Sequence, residues 1–197
     1  MKEITEEIQY LPAVEEPLSA DVYIIRGKEY TYVVDVGAND EAYDTVRSIQ
    51  GPKKVFITHF HGDHTGNLSR LNIPDDELYV GAWMHKKYKL GTPVASVMEI
   101  RDGVDLKVIP VASSHAKGCL AVLVNGKCLL MGDSFYGHND KGYNVSLLYD
   151  QIKQLKELDF EFAVMSHDER QHKKRKMLLL LEMYYAKRKP GEDYIIV

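Results

Sequence analysis

Residues 59–64 read His-Phe-His-Gly-Asp-His, directly after the strand-like run Lys54-Val55-Phe56-Ile57-Thr58. Three imidazoles and a carboxylate within six residues can converge at the end of a strand only if the chain turns sharply there. Gly62, and Gly66 just beyond, permit such a turn. Chance yields His-x-His-x-Asp-His in a chain of this composition on the order of once per thousand sequences, so a loop with incidental histidines is a poor account of it. Clustered neutral imidazoles with a carboxylate are the donor set for zinc and its neighbours. Whatever the rest of the chain does, it must deliver this loop to a place where further donors can meet it.

Composition sets the frame for that fold. The chain has 197 residues, of which 45% are hydrophobic and 27% charged, as expected of one globular domain over residues 1–197. At this size about 70% of the unfolded surface can be buried, so neither a disulfide nor a metal is needed merely to fold. The net charge of -4 leaves no basic field to hold nucleic acid. Two cysteines are too few for a secreted disulfide scaffold. The first residues, MKEITEEIQYLPAVEE, carry acids where a signal peptide has an apolar core. No apolar run approaches the roughly 18 residues of a membrane span. The expectation is a soluble, cytoplasmic protein with a small-molecule substrate and neither a nucleic-acid nor a membrane partner.

Apolar β-branched runs predict strands at Asp21–Ile25, Tyr30–Val36, Lys54–Thr58, Glu77–Val80, Val104–Val111, Cys119–Val124, Lys127–Met131 and Phe160–Met165. Helices are predicted at Asp40–Ile49, Asn144–Leu158 and Asp168–Arg188. In the second, Leu147, Leu148, Ile152, Leu155 and Leu158 form one apolar face. Strands come partly in succession and partly alternating with helices, which suggests sheets packed on each other with helices outside. Asn125-Gly126 between two apolar runs predicts a two-residue hairpin. It sets Val124 against Lys127 and Leu123 against Cys128, leaving Cys119 and Cys128 beyond disulfide reach as buried thiols. The same hairpin brings His115 and Asp133 to one sheet edge.

Three ligand-type residues stand at the exits of strand-like runs: His115 after Val-Ile-Pro-Val-Ala-Ser-Ser, Asp133 after Cys-Leu-Leu-Met-Gly, and His167 after Phe-Ala-Val-Met-Ser. Each alone reads as a turn or cap residue, but together they repeat one arrangement. With Val33-Val34-Asp35-Val36-Gly37 and the 59–64 motif, they occur in an order that resembles the metallo-β-lactamase fold superfamily of metal-dependent hydrolases. The resemblance spans residues 33–167. It implies an α+β fold, a four-layer αβ/βα sandwich, with two metals at one sheet edge. It further implies that His59, His61 and His115 bind the first metal and that Asp63, His64 and His167 bind the second, with Asp133 between them. Two departures stand out: Ser-Ser-His115-Ala-Lys lacks the family's Gly-His-Thr flavour, and His167 precedes Asp-Glu-Arg rather than a Gly-His-Gly setting. Asp35 reads equally as a turn residue before Gly37 and as a buried organiser of the metal loop.

What the resemblance implies is a dinuclear hydrolase. Its two divalent ions, zinc first with iron or manganese as alternatives, lower the pKa of bound water toward ~7. A hydroxide between them would then cleave an ester, thioester, lactone, amide or phosphodiester, with Asp63 as the catalytic group that orients it and takes up a proton. The interval from Asp133 to His167 has no room for the extra domain of the superfamily's nucleases. Residues 168–197 are too few for a glutathione-binding domain like that of glyoxalase II. Two other readings are an iron-dependent redox enzyme resembling a persulfide dioxygenase and a non-catalytic metal-binding regulator. His61 argues against flavin-partnered di-iron reductases, whose pattern has Glu there.

Substrate contacts are sought in Phe135–Asn144, a segment with two glycines that holds Tyr136, His138, Asn139 and Tyr143. The segment is either a cleft wall beside the metals or a solvated loop. His85, in a helical stretch after Trp83, reads as structural. His172 opens the last predicted helix beside the basic run 173–176, which reads as a solvated face. The apolar block Met177–Leu181 must be buried against the sheet or in a homo-oligomer contact through this C-terminal helix.

Overall fold

The computed structural model describes all residues 1–197. Two sheets lie face to face. The first is ordered Lys2–Glu3, Ile8–Leu11, Val22–Arg26, Thr31–Val34, Lys53–Ile57, Leu78–Gly81, Thr92–Val94. The second is ordered Met98–Arg101, Asp105–Val111, Cys119–Val124, Cys128–Leu130, Phe162–Met165, Asp168–Lys173. From Thr31 to Val94 the first sheet is parallel, because each strand is followed by helical crossover chain. The second is antiparallel except where Cys128–Leu130 pairs in parallel with Phe162–Met165 across the helix Val145–Glu157.

Period-two alternation explains why there are four layers. In Thr31–Val34, Tyr32 and Val34 face the second sheet while Val33 faces outward, and all three are buried. A strand apolar on both faces must be covered on both. Between the sheets lie Tyr23, Ile25, Tyr32, Val34 and Phe56 against Leu106, Val108, Leu120, Val122 and Leu130. Outside the first sheet, Val33, Val55 and Ile57 pack on Ala42 and Val46 of the helix Asp40–Ser48 and on Met84 of the helix Ala82–Tyr88. Outside the second, Ala121, Leu123 and Leu129 pack on Leu148, Ile152 and Leu155 and on Met177 and Leu181 of the helix Lys174–Ala186. Asn39 and Asn144 cap two of these helices, accepting from Ala42 N at 2.8 Å and Leu147 N at 3.1 Å. No helix is long and apolar enough to cross a membrane.

Three local expectations need correction. The chain over 168–188 is not one helix: Asp168–Lys173 is a strand returning along Phe162–Met165, and the helix begins at Lys174. The sequence Asp-Glu-Arg-Gln-His-Lys has no apolar stripe to hold a helix, and positive φ at His167 (63°) reverses the chain so that Met165 faces Asp168. His172 therefore lies on this strand, bonded to Asp168 Oδ2 at 2.8 Å, and not at a helix start. The hairpin register is offset by one residue, with Val124 opposite Cys128 and Leu123 opposite Leu129. Lys127 is the extra residue, its carbonyl drawn away to Glu161 N and Phe162 N. The offset decides which face each side chain occupies: Leu123 and Leu129 meet the helices, while Val124 and Cys128 meet the other sheet. Both cysteines are buried free thiols. Finally, Leu147 is 38% exposed, so the apolar face of its helix is carried by Leu148, Ile152 and Leu155.

Short strands at the rims escape the sequence pattern. Thr92–Val94 contains Pro93, tolerated because this strand is an edge with no further partner for its backbone. Met183 and Leu179 of the last helix remain 63% and 49% exposed, whereas Met177 and Leu181 are buried, so only part of the 177–181 block packs on the sheet.

Candidate metal centre

Seven donors meet at one edge of the sandwich, each at the carboxyl end of a strand. His59, His61, Asp63 and His64 follow Lys53–Ile57 of the first sheet. His115, Asp133 and His167 follow Asp105–Val111, Cys128–Leu130 and Phe162–Met165 of the second. They form two groups, His59/His61/His115 and Asp63/His64/Asp133/His167, with ligand atoms inside each group all within 4.8 Å of one another. Both groups draw on both sheets.

Close packing makes the tight loop possible. A Cβ on Gly66 would lie 2.7 Å from Ala38 Cβ and 2.9 Å from the Gly62 carbonyl, so only glycine fits there. Gly62, by contrast, has open space and does not need to be glycine. Gly132 has positive φ (51°), and a Cβ on it would lie 2.5 Å from Thr58 Oγ1. Its absence lets the strand bearing Asp133 approach the metal loop.

In the first group, His61 Nδ1 is 3.0 Å from both His59 Nε2 and His115 Nε2. His61 Nδ1 offers either one proton or one lone pair, so it cannot make a good hydrogen bond to both neighbours. Nitrogens about 2.0–2.1 Å from a tetrahedral zinc are spaced at about 3.3 Å, close to this triangle. Burial pushes His59 well below the usual imidazole range, reinforced by His64 and His115, and burial also lowers His61 and His115. All three are then neutral, the form that ligates.

In the second group, His167 Nε2 lies 3.0 Å and His64 Nε2 3.3 Å from Asp63 Oδ2. Asp133 stands between the groups, with Oδ1 3.5 Å from His64 Nε2 and Oδ2 3.4 Å from His115 Nε2. Burial works against ionising Asp63, but the hydrogen bond from His167 and the His64 ring beside it outweigh this and hold the carboxyl below its usual range. His64 is fully buried, which opposes its charge, yet the Asp35, Asp133 and Asp63 carboxylates raise its pKa. Three buried polar atoms have no hydrogen-bond partner: His64 Nε2, His115 Nδ1 and Asp133 Oδ1. Unpaired buried polar atoms are costly, and two of these aim into the donor groups. The donor types, spacing and unpaired atoms all fit divalent cations.

Support comes from two carboxylates outside the donor set, Asp35 and Asp21. Asp35, buried with φ 60°, is the organiser and not a turn residue: Oδ2 accepts from His64 Nδ1 at 2.7 Å and from Thr58 Oγ1 at 2.7 Å, and Oδ1 accepts from Thr58 N at 2.8 Å. This holds a proton on His64 Nδ1 and turns Nε2 toward the other donors. Asp21 does the same for the far ligand through its backbone. Its Oδ2 accepts from His167 N at 2.9 Å and Ser166 Oγ at 3.0 Å, while Asp21 N donates back to Ser166 Oγ at 3.0 Å. Asp35 is marked in sequence by the Val-Val-Asp-Val-Gly run, whereas the only signal for Asp21 is an acid abutting an apolar strand.

The expected substrate contacts divide. Tyr136 stands beside the centre, its ring centroid 6.5 Å from that of His115 and its hydroxyl donating to the Ser166 carbonyl at 3.0 Å. His138 and Asn139 are exposed on the 135–144 loop, where His138 Nδ1 accepts from Asp140 N at 3.3 Å. Tyr143 is a core residue, which corrects its expected place in the cleft. It is 4% exposed, donates to the Phe135 carbonyl, packs on Tyr184 and belongs to a two-stranded pairing with Tyr194–Ile195. His85 is structural, its Nδ1 2.8 Å from the Gly91 carbonyl.

Residues 16–73 match the model of the metallo-beta-lactamase superfamily. Solved structures share the whole fold. A metallo-beta-lactamase superfamily protein from the archaeon Sulfolobus tokodaii superposes with a TM-score of 0.69 at 18% identity, over 98% of this chain and 91% of that one. A metallo-beta-lactamase from Pontibacter korlensis gives 0.65 at 17% identity, over 92% and 97%. A chemotaxis sensor, ODP, solved as a peroxy diiron species, gives 0.69 at 15% identity, over 91% and 92%. Comparison with curated proteins found no significant match.

Proposed function

We propose that this chain, built on the metallo-β-lactamase fold, is a metal-dependent hydrolase that cleaves a small ester, thioester, lactone, amide or phosphodiester at a dinuclear centre. One observation carries the reading: two donor groups share Asp133, whose two carboxylate oxygens face different groups. His59, His61 and His115 would hold one ion, and Asp63, His64 and His167 the other. Bound there, divalent ions, zinc first among them, supply Lewis acidity and acidify water at neutral pH.

The chain's own residues provide the rest. Asp63 Oδ2 faces His167 Nε2 and His64 Nε2, the side on which an ion would be held, which leaves Oδ1 to orient the attacking water and accept its proton. Asp35 keeps the proton of His64 on Nδ1, away from the reacting side. Tyr136, anchored to the Ser166 carbonyl, forms a fixed wall beside His115 and narrows the access of bulk water. His138 and Asn139 project from the flanking loop, where they can hydrogen-bond to a substrate.

The diiron state of one fold relative supports a second reading, iron-based redox chemistry on the same donors. Metal quantitation and an optical spectrum, followed by an ester, thioester, lactone and phosphodiester panel on the same preparation, separate the two. A colourless protein with about two zinc ions per chain and turnover of at least one substrate is expected. A coloured, iron-loaded protein inert to the whole panel sinks the hydrolytic reading.

A further inference from the structure

The outer side of the metal loop carries a recess of its own. It opens between the short helical turns Gly62–Thr65 and Leu68–Leu71 and the helix Ala82–Tyr88. Its volume is about 430 Å³, within the range of small-molecule sites. Leu68, Ile73, Leu78, Met84 and Leu90 make it largely apolar. Phe60 joins it to the donors: it sits between His59 and His61 in the chain, lines the recess, and its ring centroid is 4.9 Å from that of His61.

A cation stands over the rings beside this recess. Phe60 packs on Trp83 at 4.9 Å, and Tyr88 lies 6.4 Å from Phe60 and 6.3 Å from Trp83. Lys87 Nζ is 4.8 Å from the Trp83 centroid, 5.0 Å from Tyr88 and 5.5 Å from Phe60. The lysine and arginine ion pairs of the molecule all lie elsewhere, so Lys87 has no carboxylate partner. An ammonium placed by three aromatic faces and lacking a counter-ion suits an anion. The one acid lining the recess, Asp75, is bonded to Gly91 N at 2.7 Å and would repel an anion inside. Charge therefore belongs at Lys87, and hydrocarbon belongs within.

We propose that this recess and Lys87 form a subsite for an anionic amphiphile, its hydrocarbon chain among Leu68, Ile73 and Met84 and its carboxylate on Lys87 Nζ. The proposal rests on the hydrolase reading in one respect, that the amphiphile is part of the substrate. Its binding can be tested apart from turnover, because Trp83, the chain's only tryptophan, packs on Phe60 of the recess wall and lies under Lys87.

Metal-loaded protein is titrated with octanoate, octanol and octylamine while Trp83 emission is followed. Octanoate should give a saturable change and bind tightest, and octylamine weakest. Lys87→Met keeps an apolar stem over the rings but removes the charge. It should weaken octanoate about fivefold and leave octanol unchanged. Ser69→Phe, on the exposed rim, should fill the recess and abolish binding of both, with thermal melting confirming that the variant folds. Equal binding of the three amphiphiles, or no saturable change, overturns the proposal. So does undiminished octanoate binding by Lys87→Met, which would put the carboxylate on the metal donors instead. Octanoate binding of the expected pattern with no turnover of any ester leaves the subsite standing and removes the hydrolase reading. Turnover without octanoate binding does the reverse.

Discussion

The two donor groups are built from the same two sheets but held by different means. His59, His61 and His115 are three imidazoles, neutralised largely by burial, and two of them are fixed by one tight turn of a single loop. The second group mixes carboxylates with imidazoles, and two of its members depend on outer carboxylates. Asp35 grips the His64 ring, and Asp21 grips the His167 backbone from 146 residues away. The first site is therefore mostly local in its construction, and the second is a tertiary product. Damage to the support should consequently fall mainly on the second site, since Asp35 reaches His59 only through Thr58 Oγ1.

The largest effect is expected from removing the second group's own donors. Asp63→Ala or His64→Ala should abolish hydrolysis, a loss well beyond about a hundredfold, while one metal per chain remains and the fold survives. Metal stoichiometry with circular dichroism checks this, and undiminished turnover by either variant would contradict the mechanism. Asp35→Asn comes next. The amide preserves shape but points a donor at His64 Nδ1, which drives the ring proton to Nε2. Second-site affinity should fall about 10- to 100-fold, read by calorimetric titration, with first-site affinity falling much less. The smallest effect belongs to Asp21→Asn, which acts through the main chain of His167. Here a several-fold weakening of the second ion is expected, at the lower end of what outer partners contribute. If both ions weaken equally in either Asn variant, the contrast between a local and a tertiary site is wrong.

That contrast also explains what could be read from the sequence. His59, His61, Asp63 and His64 are legible because one loop must carry them at fixed spacing. His115, Asp133 and His167 are legible as polar residues at the exits of apolar runs. The four layers follow from strands apolar on both faces. Asp21 was out of reach, since its partners lie some 145 positions away and its own surroundings look like an ordinary strand start. The hairpin register differs by one residue because the Lys127 carbonyl is taken by Glu161 N and Phe162 N, while its N–H still donates to the Val124 carbonyl. Helical spacing in 177–181 masks the polar run 168–173, whose strand pairing with Phe162–Met165 is set by tertiary contact. Tyr143 looked like a cleft residue because glycines nearby marked a loop, but its partners Tyr184 and Ile195 come from the C-terminal end.

The left-handed backbone at His167 has an evolutionary corollary. A side-chain-bearing residue in that conformation costs about 1–2 kcal/mol relative to an ordinary one, and glycine would relax it at once. Glycine would also forfeit the imidazole. On the dinuclear reading, selection for a sturdier protein and selection for a second ion pull in opposite directions at one codon, and this chain keeps the imidazole. A lineage that lost the need for the second ion should drift to glycine or asparagine at this turn before it changes any other donor.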